Sequence, residues 1–318
     1  MTDGSEFDGE GARMGADGKT EATRFGHLPV LLQPAIDFLA IRRGETYIDA
    51  TVGLGGHSFE IAKRLGRQGH LIGFDKDPKA LEIAAKRLSE IAAEVKTDWP
   101  KITLLHGSFR RLAEAAAPGT VSGVLADLGV SSMQFQDAAR GFSFQADGFL
   151  DMRMDPQAEL TAYQVVNQLD EPTLADLIYE FGEERRSRRI ARAIVRARPV
   201  TTTAELARVV AAAARPVKSE RIHPATLTFQ ALRIYVNREL DDLKALTESA
   251  PWVLARAGRL VIISFHSLED RIVKDAMREG ARQGLYELLT RKPVVAGEQE
   301  VAENPRSRSA KLRAAARL

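Results

Sequence analysis

The sequence has 318 residues, 44% of them hydrophobic and 6% aromatic, a composition that suits one large or two ordinary domains. It contains no cysteine, which excludes disulfides, thiolate zinc sites and cysteine nucleophiles, including the cysteine adduct typical of pyrimidine C5 methylation. No run of about 18 apolar residues and no signal-type segment is present, so we expect no membrane contact and a cytoplasmic protein. The six histidines lack metal-ligand spacing, so no metal is predicted.

The first segment of the chain differs from the rest in composition. Residues 1–24 are rich in Gly, Asp and Glu and are predicted to form a disordered N-terminal tail. They carry six acids and three bases, and removing these from totals of 43 and 45 leaves 37 acids and 42 bases, a net charge of +5. This mild basicity is compatible with a nucleic-acid partner but does not establish one.

Strand and helix patterns alternate in the first half of the chain. Strands are predicted near 45–52, 70–75, 102–106, 121–127 and 257–265, with helices near 56–65 and 78–93. Such alternation predicts a parallel sheet covered on both faces. Between 136 and 236 the pattern is helical only, which predicts a helical domain inserted into an α/β domain made of residues 25–135 and 237–318.

A glycine turn joins the first predicted strand to its helix in YIDATVGLGGHS, residues 47–58. Gly53, Gly55 and Gly56 permit a tight turn, and the backbone N–H groups at the helix start can contact a nucleotide-like ligand. A dinucleotide fingerprint needs glycine where Ser58 stands, which makes a nicotinamide dehydrogenase the least favoured alternative. The turn resembles the first motif of S-adenosylmethionine-dependent methyltransferases, the alternative being a purely structural turn.

Two acidic residues end predicted strands. Asp75 lies about twenty residues beyond the glycines, where a carboxylate can accept both ribose hydroxyls of a nucleoside, and helix capping is the alternative role. Asp127, in VLADLGVSS, is predicted at the carboxyl edge of the sheet, where open α/β folds bind ligands. An acceptor there can polarise an exocyclic amine, which is a poor nucleophile, whereas the alternative is a turn-former beside Gly129.

A cluster of arginines lies in EERRSRRIARAIVRAR, residues 183–198. Helical spacing places four of them on one face and the apolar residues on another. These four are predicted either to contact RNA phosphates or to form a solvated face: Arg185, Arg189, Arg192 and Arg196.

Several long motifs resemble the ribosomal small-subunit RNA cytosine-N4 methyltransferase family, over nearly everything from His27 onward. They are DLGVSS at 127–132, RGFSFQADGFLDMRMD at 140–155, HPATLTFQALRI at 223–234, ISFHSLEDRIVK at 263–274 and ENPRSRSAKLR at 303–313. The resemblance implies a class I (Rossmann-like) methyltransferase sheet with an inserted all-helical domain. It also implies S-adenosylmethionine as methyl donor and a cytosine in the decoding region of 16S-type RNA, free or in the small ribosomal subunit, as acceptor.

Carried over residue by residue, the resemblance implies a set of cofactor contacts. They are Gly55, Gly56, His57, Asp75, Phe109, Asp127 and Gln134. Asp127 is also the predicted catalytic residue. The sequence departs from the family pattern at Gln33–Pro34, where acidic residues are usual, and at Leu227, where Arg is expected.

The motif ISFHSLEDRIVK supplies two further candidates for RNA contact. His266 is predicted to lie exposed at the ligand edge of the sheet and contact the substrate base, or to cap the following helix. Arg271 is the second candidate. A hydrolase triad is disfavoured because the G-x-S-x-G elbow is absent. Two alternatives remain open, namely a methyltransferase for another nitrogen acceptor and a catalytically silent RNA-binding assembly factor.

Overall fold

The computed structural model describes residues 29–95, 98–214 and 222–318. The predicted disordered tail, residues 1–24, lies outside the described residues. No helix within these three ranges is long and apolar enough to cross a membrane.

Seven strands of the described chain form one sheet in the order β3-β2-β1-β4-β5-β7-β6. They are β1 (Thr46–Asp49), β2 (His70–Asp75), β3 (Lys101–His106), β4 (Val121–Asp127), β5 (Leu254–Ser264), β6 (Tyr286–Leu288) and β7 (Lys311–Arg317). Strands β1 to β5 pair in parallel, and β7 runs antiparallel between β5 and β6. The predicted parallel sheet is present in β1 to β5, whereas the antiparallel edge formed by β6 and β7 was not predicted.

Helices cover both faces of the sheet. They are α1 (Leu32–Leu39), α2 (Gly56–Leu65), α3 (Pro78–Val95), α4 (Leu112–Ala115), α5 (Ser132–Gln136), α11 (Glu239–Val253), α12 (Ser267–Arg282) and α13 (Glu298–Glu303). Neighbouring strand residues enter different cores, Tyr47 and Leu125 on one face and Ile48 and Val124 on the other. Burial on both faces explains why these strands are continuous apolar runs in the sequence.

The segment between β4 and β5 has a hydrophobic core of its own. Its helices are α6 (Ala162–Gln168), α7 (Glu171–Gly182), α8 (Ser187–Ala197), α9 (Thr203–Ala214) and α10 (Thr226–Asn237). The buried residues of this core run from Phe142 to Val236. The core supports the inserted helical domain that we propose, while its boundaries at 136 and 236 stay a prediction. The segment is not helical only, because Phe149 and Thr202 form an isolated antiparallel bridge.

Candidate active site

A cavity of about 370 Å³ opens at the carboxyl ends of the parallel strands. Its wall includes the glycine turn after β1, the ends of β2 and β4, and the segment that follows β5. Strand order brings these places together, since consecutive parallel strands end at the same edge. Among the predicted cofactor residues the wall contains Gly56, His57, Asp75, Phe109, Asp127 and Gln134.

The glycine turn contributes backbone to the cavity. Gly53 and Gly56 line it, and Gly53 has a φ of 52°, in the region that favours glycine. Gly55 is not part of the wall. It is the N-cap of α2 at a φ of 86°, and a Cβ there would lie 3.3 Å from that of Ala84 on α3. The structure therefore gives Gly55 a role in the turn, while Gly53, which the resemblance did not include among the cofactor contacts, lines the cavity.

Asp75 ends β2 and holds the turn against the strand. Its Oδ2 accepts the N–H of Gly53 at 2.7 Å, and its Oδ1 accepts the N–H of Asp77 at 2.8 Å. Each carboxylate oxygen retains acceptor capacity for a further donor. Burial raises the pKa of Asp75 to about 6. The residue thus combines a fixed orientation with a place on the cavity wall, as a ribose acceptor requires.

A second buried acid, Asp49, was not among the predicted residues, and it is not part of the cavity wall. It ends β1, and its Oδ2 accepts the Ser58 hydroxyl at 2.6 Å while Oδ1 accepts the Thr51 N–H at 3.1 Å. Burial raises the pKa of Asp49 to about 6. The sequence could have indicated Asp49, because an acid at the end of a predicted strand is followed by Ser58 in the first turn of the next helix.

Asp127 has one oxygen without a hydrogen-bond partner. Its N–H donates to Thr51 Oγ1 at 2.6 Å, and its Oδ2 lies 3.7 Å from His57 Nδ1. Its Oδ1 is buried and makes no hydrogen bond within the described residues, although the side chain lines the cavity. Burial raises the pKa of Asp127 well above its usual value, and the charges of Asp49 and Glu269 raise it further. Asp127 thus lines the cavity and holds one carboxylate oxygen whose hydrogen-bonding capacity no described protein group uses.

Gln134 lines the cavity but is held mainly by protein groups. Its Oε1 accepts the Ser131 N–H at 2.9 Å in a capping box, and its Nε2 donates to Asp77 Oδ2 at 2.9 Å. Arg140 also donates to Asp77 Oδ2, at 2.7 Å. Phe109, half-buried, begins a short 3-10 helix capped by Ser108 and presents its ring at the cavity wall.

Besides Arg87 and Arg306, two basic residues that were not predicted line the cavity. Arg233 of α10 forms a bidentate pair with Glu239, both bonds 2.9 Å long. Lys76 donates to the carbonyl of Asn237 and lies 2.6 Å from Asp242 Oδ2. The available signal for Arg233 was a charged residue within the apolar run ALRIYV. Both pairs connect the inserted helices to the cavity.

His266 does not lie exposed at the sheet edge, as the sequence analysis expected. Its side chain is 9% exposed and is the N-cap of α12, where Nδ1 accepts the Glu269 N–H at 3.4 Å. Glu269 completes the capping box by accepting the N–H groups of Phe265 and His266. The structure thus shows the capping alternative, and a base contact by His266 stays a prediction.

The other predicted RNA contacts lie outside the cavity. Arg271 bonds to Glu183, which also accepts the Ser267 hydroxyl. Arg189 donates to the carbonyl of Ala214, and Arg192 pairs with Glu171 at 3.1 Å.

The arginine stripe is shorter on α8 than predicted. Arg185 precedes α8, which begins at Ser187, so a single helical face through all four arginines was wrong. Arg185 and Arg196 are exposed and make no ion pair with any described residue. Of the four arginines, these two have the side chains most available for contact with a binding partner.

The cavity has the parts that S-adenosylmethionine needs. Asp75 can accept ribose hydroxyls, Phe109 can form a wall of the adenine pocket, and the bare backbone of Gly53 and Gly56 permits close approach. No group of three or more potential metal ligands is present among residues 29–95, 98–214 and 222–318. The strand order with antiparallel β7 and a ligand site at the carboxyl edge define a class I methyltransferase that uses S-adenosylmethionine.

Comparison with known proteins gives the family. The MraW methylase family matches residues 24–318, so this chain belongs to that family. A relative from Koribacter versatilis (strain Ellin345), named Ribosomal RNA small subunit methyltransferase H, is 67% identical over 94% of this chain and 96% of its own length. A protein of the same name from Acidobacterium capsulatum is 65% identical over 91% of this chain and 97% of its own. The fold and family implied by the sequence motifs are confirmed.

Proposed function

We propose that this protein methylates the exocyclic N4 of a cytosine in the decoding region of small-subunit ribosomal RNA. One observation carries the proposal. Asp127 lines the cavity, and its Oδ1 is a buried acceptor that makes no hydrogen bond within the described chain. The names of the relatives from K. versatilis and A. capsulatum support small-subunit RNA as the substrate. The motif resemblance supports cytosine N4 as the acceptor.

The reaction needs a methyl donor, an oriented amine and a proton acceptor. Bound S-adenosylmethionine supplies an electrophilic methyl on a sulfonium sulfur. Asp127 Oδ1 accepts a hydrogen bond from the N4 amine, which increases electron density on a nitrogen whose lone pair is delocalised into the ring. Once N4 carries the methyl group and the thioether has left, the nitrogen would be acidic, and Asp127 would accept its proton. A raised pKa makes this carboxylate a better proton acceptor than an ordinary aspartate.

The remaining residues position the reactants. Asp75 fixes the Gly53 backbone and the cofactor ribose from the β2 side, while Asp127 lies at the end of β4. Holding two reactants in line contributes about 7 to 11 kcal/mol to lowering the barrier. Apolar wall residues, among them Val52, Leu128 and Phe265, limit water in the cavity. Positioning with one acceptor accounts for the reaction without a covalent nucleophile.

The test is nucleoside mass spectrometry of small-subunit RNA from cells with and without the gene. We expect N4-methylcytosine to disappear without the protein and to return with the wild-type gene but not with Asp127→Asn. Loss of a methylated adenine instead would assign another nitrogen acceptor. Unchanged RNA methylation together with RNA binding would support the silent assembly factor.

A further inference from the structure

The ion pair between Arg233 and Glu239 lies in the wall of the catalytic cavity. The two side chains are 15% and 9% exposed and meet in a bidentate geometry. Removing both charges from water costs several kcal/mol per ion, so such a pair is weak evidence for stability. Its location at a catalytic cavity favours a functional role.

Arg233 lines the same cavity as Asp127. Glu269, at the start of α12 just after β5, lies close enough to Arg233 and to Asp127 for its charge to act on the pKa of each. Asn237, one turn further along α10, accepts a hydrogen bond from Lys76, the residue after β2, so this helix also reaches the β2 side of the cavity. Arg233 and Asp127 therefore share the cavity, and both are close to Glu269.

The guanidinium of Arg233 keeps donors for a ligand. Arginine has five N–H donors, and Glu239 takes one from Nε and one from Nη2. Nη1 makes no hydrogen bond with any residue that the structure describes. The bidentate pair fixes the plane of the guanidinium, so the remaining donors have a set direction.

We propose that Arg233 determines base specificity by donating hydrogen bonds to N3 and O2 of the target cytosine, with Glu239 holding it in orientation. This inference rests on the proposed function. The edge of cytosine presents a donor at N4 and acceptors at N3 and O2, which Asp127 and Arg233 complement. Uracil carries a donor at N3 and no amine, and adenine lacks the second acceptor. Asp127 and Arg233 thus select cytosine when its N4 amine is aligned for methylation.

The first test compares Arg233→Lys with Arg313→Lys. Arg313 pairs with Asp270 in a similar bidentate geometry, at 9% and 15% exposure, and lies outside the cavity wall. The substrate is small subunits from cells that lack this protein. We expect Arg233→Lys to lower kcat/KM for these subunits by about 10-fold to 100-fold at unchanged cofactor affinity. Arg313→Lys should lower the melting temperature and leave kcat/KM of the folded protein near wild type.

The second test measures base recognition directly. Binding of cytidine and of 3-deazacytidine, which lacks the N3 acceptor, is compared by saturation-transfer NMR on protein loaded with S-adenosylhomocysteine. Wild type should prefer cytidine, and Arg233→Lys should lose most of that preference.

The outcomes separate this inference from the proposed function. If Arg233→Lys keeps the preference for cytidine over 3-deazacytidine, with or without a large loss of cofactor affinity, the role of Arg233 is overturned. Cytosine methylation by the wild-type protein is not affected by that result. If wild type forms no N4-methylcytosine, the proposed function itself fails.

Discussion

Three aspartates with raised pKa values, Asp49, Asp75 and Asp127, meet at the cavity end of the sheet. Burial is the main cause of each raised pKa. The charge of Asp75 raises the pKa of Asp49 further, and the charge of Asp49 does the same to the pKa of Asp127. For Asp49 and Asp75 the folded state binds a proton more tightly than the unfolded state between about pH 4 and pH 6. The contribution of these two carboxyls to the free energy of unfolding therefore falls as the pH rises through this range.

We expect cofactor binding to weaken at acid pH because of Asp75. Only the ionised carboxylate can accept both ribose hydroxyls, so below about pH 6 the cofactor affinity should fall about tenfold per pH unit. Calorimetry from pH 5 to pH 8 measures this. Asp75→Asn should remove the pH dependence and lower affinity at pH 7, whereas Asp49→Asn, whose side chain lies outside the cavity wall, should retain the dependence. A flat wild-type profile would separate Asp75 from the cofactor.

For Asp127→Asn we expect turnover to fall by about 100-fold or more without loss of stability. The raised pKa means that ionising Asp127 costs free energy in the fold at neutral pH, and a neutral amide of the same shape avoids that cost. Thermal unfolding at pH 7 and single-turnover kinetics are the two measurements. Parallel losses of melting temperature and activity would support the turn-forming role beside Gly129.

Residues at strand ends were predictable, whereas those brought in by tertiary contacts were not. Asp75 and Asp127 follow apolar strands, so their placement at one edge of the sheet follows from parallel topology. Arg233 reaches the cavity from α10, over one hundred residues beyond β4, and no local pattern encodes that approach. His266 was misplaced because a histidine after a strand gives no sign that its own helix will bury it.

At the scale of elements, the start of α2 depends on the absence of a side chain at Gly56. A Cβ at this position would lie 2.4 Å from Pro29 Cγ, inside van der Waals contact. We expect Gly56→Ala to lower the free energy of unfolding by about 1 to 3 kcal/mol and to weaken cofactor binding, since the turn must shift. Denaturant unfolding and calorimetry provide the two values.

The matched control for that substitution is Gly297→Ala. A Cβ at Gly297 meets nothing within 4 Å, so stability should change little there. If the two variants were equally stable, the loop before α1, which contains Pro29, would move aside at little cost and would not hold α2 in place.

Elements with strong periodicity were predicted well, and the last strand was not. The predicted ranges 56–65, 70–75 and 121–127 coincide with α2, β2 and β4. Strand β7 has the sequence KLRAAAR, whose alanines favour a helix, and only pairing with β5 and β6 makes it extended. Long-range pairing therefore overrode local propensity at this position.

At the scale of the whole molecule, we expect the inserted helices to bind RNA phosphates through the arginine stripe. Replacing Arg185, Arg189, Arg192 and Arg196 by Ala should weaken binding and flatten its salt dependence, by about 0.7 to 0.9 in log-log slope per lost contact. Arg185 and Arg196 should contribute most, because Arg189 and Arg192 have protein partners. Binding of substrate RNA across a salt series measures the slope.

A cofactor titration on the same fourfold variant serves as its control and should match wild type. An unchanged slope in a folded variant would identify the stripe as a solvated face. The RNA contacts would then be sought at Arg271 and the basic C-terminal segment.

The position of β7 between β5 and β6 imposes an order on folding. Strand β5 ends at Ser264, yet the neighbour that pairs with its open edge begins only at Lys311. While the chain is being synthesised, the apolar edge of β5 has no partner on that side, and such an edge is prone to pair with other chains. Closure also requires contacts distant in sequence, which form slowly. The sheet that carries the catalytic edge is thus completed late, and until then the unpaired edge of β5 is a site of aggregation.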